Sequence, residues 1–174
     1  MNESAQNWIS SLNLLPHPEG GYYRETYRSG VSVTVCSADD HNDVKTADRA
    51  IRSISTAIYF LLEGDQISTL HRIRSDEAWH FYAGSSLSVE GILPDGERQT
   101  WRLGLDLASG ERPQCVVPAG TWFGAHLKHS STYALVGCTV SPGFDFADFE
   151  LAERAELIAM HPQHTDIIER LTHP

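Results

Sequence analysis

The chain is short of several things at once. It has only three cysteines, Cys36, Cys115 and Cys138, scattered and without the paired spacing of a zinc site. Their odd number and wide separation predict free thiols in a reducing cytoplasm. Cys115 and Cys138 sit in the apolar runs QCVVP and VGCTV, where cysteine behaves as a small buried hydrophobe. No stretch of about 18 apolar residues exists, so no membrane-spanning helix is expected. The opening MNESAQNWISSLNLLP lacks the basic start of a signal peptide and carries Glu3 instead. Basic residues are scarce as well: 13 Lys and Arg stand against 23 Asp and Glu, a formal net charge of -10. That deficit argues against nucleic acid and anionic lipid as partners, since both reward clustered Lys and Arg. No repeat or low-complexity linker divides the 174 residues, which are read as one domain, 1–174.

What is present is a series of short apolar strands punctuated by turns. Asn2 to Leu14 reads as a short helix capped by Ser4, with Trp8, Ile9 and Leu12 at helical spacing before Pro16 and Pro18 break it. Strands are expected over 56–62, 77–84, 86–97, 98–105, 114–120, 121–127 and 133–140, with Gly, Pro and Asp between them. This punctuation predicts an all-β sandwich or barrel. After Pro142, Phe149, Ala152, Ala155 and Ile158 recur at helical intervals, and Thr165 is expected to cap a last short helix. Asp145 and Asp148 are expected to cap the helix before it. The polar segment from Cys36 to Arg49 reads as a long exposed loop.

The segment LHRIRSDEAWHFYAG concentrates chemistry. His71, Glu77 and His80 are all metal-ligand types. On a strand, however, Glu77, Trp79 and Phe81 share one face while His80 points to the other. His80 is therefore read as a packed or interfacial histidine. His126 and His129, three apart, also face opposite sides, so no joint site is expected there.

These residues resemble a cupin, a small double-stranded β-helix or jelly roll. In the first cupin motif, His71, Glu77 and Gly84 fall at the spacings of the family's His, Glu and Gly, but Ile73 stands where a second histidine belongs. In the second motif, Pro118-Ala119-Gly120 matches, whereas Phe123 occupies the histidine position and Leu127 the asparagine position. Two of the four usual ligands thus survive, so no cofactor is expected, with only weak metal binding at His71 and Glu77. Together HPEGGYYRETYRS, TAIYFLL, LHRIRSDEAWHFYAG, VPAGTWFGAHL and VGCTVSPGFDFADFEL are similar to a small cupin family sometimes called cupin family 5. The match runs from about Leu14 to Pro162. The resemblance implies an all-β jelly roll with short N- and C-terminal helices, structurally similar to nucleotide-sugar 3,5-epimerases.

Those epimerases carry Arg-Gly-x-Phe-x-Glu at their first strand, which commonly crosses to a partner subunit. Here Gly21-Tyr22-Tyr23-Arg24-Glu25 is similar, with Gly20 replacing the arginine. The resemblance thus implies a homodimer through the N-terminal strand. Strict alternation places Tyr22, Arg24, Thr26 and Arg28 on one face of that strand and Tyr23, Glu25 and Tyr27 on the other.

The expected function is metal-independent acid–base chemistry, isomerase- or epimerase-like, on a sugar or small hydroxy-carbonyl ligand. His71 is the candidate base, Glu77 its orienting partner, and Tyr23 or Tyr59 the opposing acid. Glu19 and Arg24 are candidate ligand contacts, Arg24 for an anionic group. Trp79, Phe81, Phe123 and Leu127 are expected to line the pocket. The alternatives are a non-catalytic binding module and, third, a metal-dependent oxygenase.

Overall fold

The computed structural model describes residues 3–36, 49–130 and 132–173. Helix α1 (Glu3–Ser11) forms because Ala5, Trp8, Ile9 and Leu12 fall on one face. It begins at Glu3, so Ser4 lies within it rather than at its cap.

Four strands follow: β1 (Leu15–Pro16), β2 (Tyr22–Arg28), β3 (Ser32–Cys36) and β4 (Arg49–Ser53). The middle of the chain supplies β5 (Thr56–Glu63), β6 (Ile67–Arg72), β7 (Asp76–Gly84), β8 (Leu87–Ile92) and β9 (Arg98–Leu103). Then come β10 (Gln114–Val117), β11 (Trp122–Leu127), β12 (Tyr133–Ser141) and β13 (Glu150–Leu151), before helices α2 (Arg154–Met160) and α3 (Thr165–Arg170). One sheet runs in the order β1-β2-β5-β12-β7-β10 and a second in the order β13-β6-β11-β8-β9. A separate hairpin pairs β3 with β4. This is the expected jelly roll with helical ends.

The burial of β5 shows how sequence becomes packing. Its alternation sends Ile58, Phe60 and Leu62 inward, where Phe60 and Leu62 meet Trp79, Phe123 and Val136 between the sheets. Leu61 faces the other way, under α1, with Ala5, Leu14 and Leu135. Both faces are covered, so TAIYFLL reads as a continuous apolar run. Each such buried side chain contributes about 1.5–3 kcal/mol relative to exposure. On the second sheet, α2 and α3 cover Leu70, Ile92 and Trp122 with Leu157, Ile167, Ile168 and Leu171.

Three C-terminal expectations are corrected. The helix read from Phe149 begins only at Arg154, because Glu150 and Leu151 pair with Arg72 and His71 on β6. These tertiary contacts override the local helical pattern. Asp145 caps a one-turn 3-10 helix (Phe146–Asp148) by accepting from the Ala147 N–H. Asp148 is instead held by Arg52 of β4. Thr165 is the first residue of α3, and its hydroxyl donates to the Pro162 carbonyl rather than capping the helix. The expected loop after Cys36 starts and ends in paired strand, Cys36 standing opposite Arg49. Residues 37–48 lie outside the described residues. No helix among the described residues is long and apolar enough to cross a membrane.

Candidate functional site

The Gly-Gly pair brings the first polar groups to the site. Gly20 and Gly21 have φ of +107° and +69°. A Cβ at Gly20 would stand 2.2 Å from the Ile67 carbonyl oxygen, and one at Gly21 would stand 2.6 Å from that of Leu61. Only glycine permits both the conformation and the approach. The turn is pinned by the His17 N–H donating to the Gly21 carbonyl (3.0 Å) and the Thr69 N–H donating to the Glu19 carbonyl (2.7 Å). His17 and Glu19 are thereby laid against β6, which carries His71.

Strand β2 leaves this turn with Tyr23 facing inward. Its pairing with β5 shifts register between Glu25 and Tyr27, a bulge that breaks the strict alternation. Tyr23, Glu25 and Arg28 consequently line one cavity, and Arg24 does not. Arg24 is exposed and donates to the Asn13 carbonyl at 3.3 Å. The face assignment from alternation alone is thus corrected: Arg28, not Arg24, is the arginine at the mouth.

The cavity measures about 120 Å³. The buried Glu19, His71, Glu77 and Cys138, with the half-buried His17, form its floor, and Tyr23, Ile58, Phe60, Val140 and Phe144 its walls. Glu25, Arg28 and the exposed Phe146 stand at the mouth. The roof comes from SPGFDFAD, whose Phe144 N–H donates to Thr56 Oγ1 at 2.9 Å. Arg52 grips Asp148 through Nε and Nη2, at 2.7 and 2.8 Å, and so ties the roof to the β3–β4 hairpin.

His71 is 2% exposed. Its Nδ1 lies 2.8 Å from the Thr69 carbonyl, and a carbonyl only accepts, so Nδ1 carries a proton. Its Nε2 then faces Glu19 Oε2 at 3.2 Å. Ser68 Oγ donates to the other Glu19 oxygen at 2.9 Å. The neighbouring His17 Nδ1 accepts the Glu19 N–H at 3.3 Å, which leaves the proton of neutral His17 on Nε2. The rings of Phe123 and Phe149 flank His71, at centroid distances of 4.2 and 5.3 Å.

Burial sets the protonation of this floor. It lowers the pKa of His71, against the pull of the Glu77 charge and the Thr69 carbonyl. It lowers His17 as well, opposed by Glu19 and reinforced by His71. The Glu19 carboxyl is raised by burial, with His17 and the Ser68 hydroxyl drawing it back. Glu77 is raised to about 7, mainly by burial, with His71 lowering it and Glu19 raising it. The Cys138 thiol, pushed well above its ordinary value by burial and by Glu77, stays protonated and hydrogen-bonds that carboxyl. On β10, Cys115 is pushed up to about 12 by burial, then by Glu77.

The other expected site residues lie behind or beside this cavity. Tyr59 belongs to the outer face of β5 and meets Tyr82 edge to face at 6.0 Å. Trp79 shares the Glu77 face as expected, but it is core, between Phe60 (5.8 Å) and Phe123 (6.4 Å). Phe81 packs against the same core, and Leu127 is buried within it. His80, on the opposite face, sits between Thr139 Oγ1 (3.2 Å) and Gln114 Nε2 (3.1 Å). The reading from sequence missed His17, Glu25, Arg28 and the Phe144–Phe146–Phe149 wall. The signal for that wall was present: three phenylalanines within six positions of a Pro-Gly loop have no strand or helix face to fill.

The donor set does not fit the transition-metal centre that many cupins carry. Ile73 and Phe123, both buried and apolar, occupy the histidine positions. Both nitrogens of His71 already face protein oxygens. Among the described residues, no group of three or more His, Cys, Asp or Glu side chains is placed to hold a metal ion.

A family model described as cupin superfamily (DUF985) matches residues 6–152. An uncharacterized protein of Saccharomyces cerevisiae is 32% identical over 149 residues, 83% of this chain and 73% of its own length. Among solved structures, a protein from Shewanella oneidensis is 42% identical with a TM-score of 0.83, covering 100% of this chain and 99% of that one. A hypothetical protein from Leishmania major is 35% identical with a TM-score of 0.85, covering 98% and 99%. Oxalate decarboxylase from Bacillus subtilis shares the fold alone: 15% identity, a TM-score of 0.53, and coverage of 90% of this chain and 36% of that one.

Proposed function

This chain belongs to the cupin superfamily, in the family described as DUF985, and from that premise we propose that its cavity binds one small carbonyl compound and moves a proton on it, as isomerases and epimerases do. The observation that carries the reading is Glu77, a carboxyl in a cavity floor with its pKa raised to about 7. A general acid or base works best when its pKa lies near the operating pH. Beside it, His71 has its tautomer set by the Thr69 carbonyl, so Nε2 is the nitrogen that exchanges a proton. Tyr23, on the wall, supplies a phenol as the returning acid. The size suits a small hydroxy-carbonyl ligand: a cavity of roughly 150 Å³ holds one benzene, this one measures about 120 Å³, and a full sugar ring would extend through the mouth.

A second reading, binding without turnover, is favoured by one observation. His71 is closed in by Glu19, Phe123 and Phe149, which leaves its Nε2 a protein partner rather than open space.

The two readings separate in deuterium oxide. A panel of aldoses, ketoses and their acids is incubated with the protein, and NMR follows loss of the carbon-bound proton beside the carbonyl. Proton transfer predicts deuterium incorporation with at least one member. His71→Ala abolishes that incorporation while the ligand still binds. A ligand that binds but never exchanges overturns the catalytic reading and leaves the binding cupin.

A further inference from the structure

We propose that the small carbonyl compound selected by this cavity is a cation, one that carries an amine. The inference rests on the reading that the cavity is a ligand site, and it assigns the charge of the ligand.

The lining carries three carboxyls, Glu19, Glu25 and Glu77, against one arginine. Arg28 is already committed. Its Nε and Nη2 donate to the two Glu25 oxygens at 3.1 and 2.6 Å, and its Nη1 donates to the Phe144 carbonyl at 3.1 Å. The two histidines offer no fixed positive charge, because burial holds both below their ordinary pKa. An anion entering the cavity therefore meets no free cation and at least two acids.

Glu77 is the second observation. It is 7% exposed and lines the cavity, yet a thiol, that of Cys138, is the hydrogen-bond partner found for its carboxyl among the described residues. A buried carboxylate normally needs a charged or strongly donating partner. Here that capacity is left to whatever fills the cavity. The walls suit the same guest. Tyr23, Phe60, Phe144 and Phe146 present aromatic rings, and the last two meet at 5.0 Å and 81°, forming a corner. Ring faces attract cations, and aromatic corners recognise ammonium groups.

Proton linkage gives the inference a sign. Glu77 is faced by His71 from β6, Glu19 and His17 from the Gly-Gly turn, Cys138 from β12 and Cys115 from β10. A bound cation lowers the Glu77 pKa and expels its proton. A bound anion raises it and takes a proton up. A neutral polyol does neither to a comparable degree.

The test is isothermal titration of the full chain at pH 7, in phosphate and in MOPS, with cyclohexylammonium, cyclohexanol and cyclohexanecarboxylate. The expected result is at least tenfold tighter binding of the ammonium than of either other probe. It should also release about half a proton, since Glu77 is near its midpoint. Glu77→Gln, isosteric with the protonated acid, should bring the three affinities within about threefold and abolish the release. Equal or tighter binding of the alcohol or the carboxylate overturns the inference. So does the absence of ammonium binding at millimolar concentration. Neither outcome touches the proton-transfer reading, which stands or falls on carbon-bound exchange: a neutral sugar that exchanges its proton sinks the cation and keeps the chemistry.

Discussion

The Nε2 of His71 and the Oε2 of Glu19 face each other 3.2 Å apart at the cavity floor. Thr69 forces this arrangement, because its carbonyl claims the Nδ1 proton. Burial favours the uncharged form of both partners, and the imidazole turns its unprotonated nitrogen toward the carboxyl.

Nitrogen-15 NMR of labelled protein reads this directly. At pH 7 the His71 Nδ1 is expected to show a protonated, pyrrole-type shift and Nε2 a pyridine-type one. Protonation of both nitrogens should occur only below the ordinary histidine range, since burial lowers its pKa. A pyridine-type Nδ1 would refute the assignment.

Glu77 makes the stability of the fold depend on pH. Its folded pKa of about 7 lies above the value of 4.5 for the free carboxyl. A raised acid contributes stability that is complete below the unfolded pKa and lost as pH rises through the folded one. The window is therefore pH 4.5 to 7. Glu77→Gln removes that loss, so the variant should gain on the wild type by up to about 3 kcal/mol at pH 8. Urea midpoints at pH 5 and pH 8 check this. A constant difference between the two proteins would show that Glu77 does not titrate in that window.

The bulge in β2 separates two arginines that strict alternation would group. Arg24→Ala should leave the affinity of any cavity ligand within about twofold, since its side chain reaches Asn13 on the other face. Arg28→Ala frees Glu25 at the mouth and should change that affinity by several-fold, with under about 1 kcal/mol lost in stability because the ion pair is exposed. Titration of both variants with one probe decides it. Equal effects would place the two side chains on one face.

Arg52→Ala unties the roof. The Arg52–Asp148 pair is largely buried, so its loss should cost about 2 kcal/mol, between the values for exposed and fully buried pairs. Arg74, 3.8 Å from the same carboxylate, offsets part of the damage. Hydrogen exchange should rise at residues 144–149 before it rises in β5 or β12. A uniform rise would mean that the pair supports the whole fold rather than the roof.

The jelly roll was legible in the sequence because short apolar runs, β5 and β12 among them, and the partly alternating β7 are punctuated by turns. His71, Glu77, Tyr23 and Glu19 were candidates for a different reason, their place in or beside the motifs, and all four line one cavity. Tyr59 is an outward residue by the same alternation that turns Phe60 inward. Arg28 was not readable, since a one-residue bulge leaves no mark in a strand rich in Tyr, Arg and Glu. The roof phenylalanines were obscured by a helical pattern at Phe149 that the β6 pairing overrides.

The Gly20 turn bears on how such a pocket changes over time. With φ at +107° and a backbone oxygen 2.2 Å from any Cβ, that position admits no side chain while the turn rests on β6. Lifting the turn would carry His17 and Glu19 away from His71. A substitution at Gly20 therefore costs the turn and the cavity floor together, although its side chain would reach neither His71 nor Glu77.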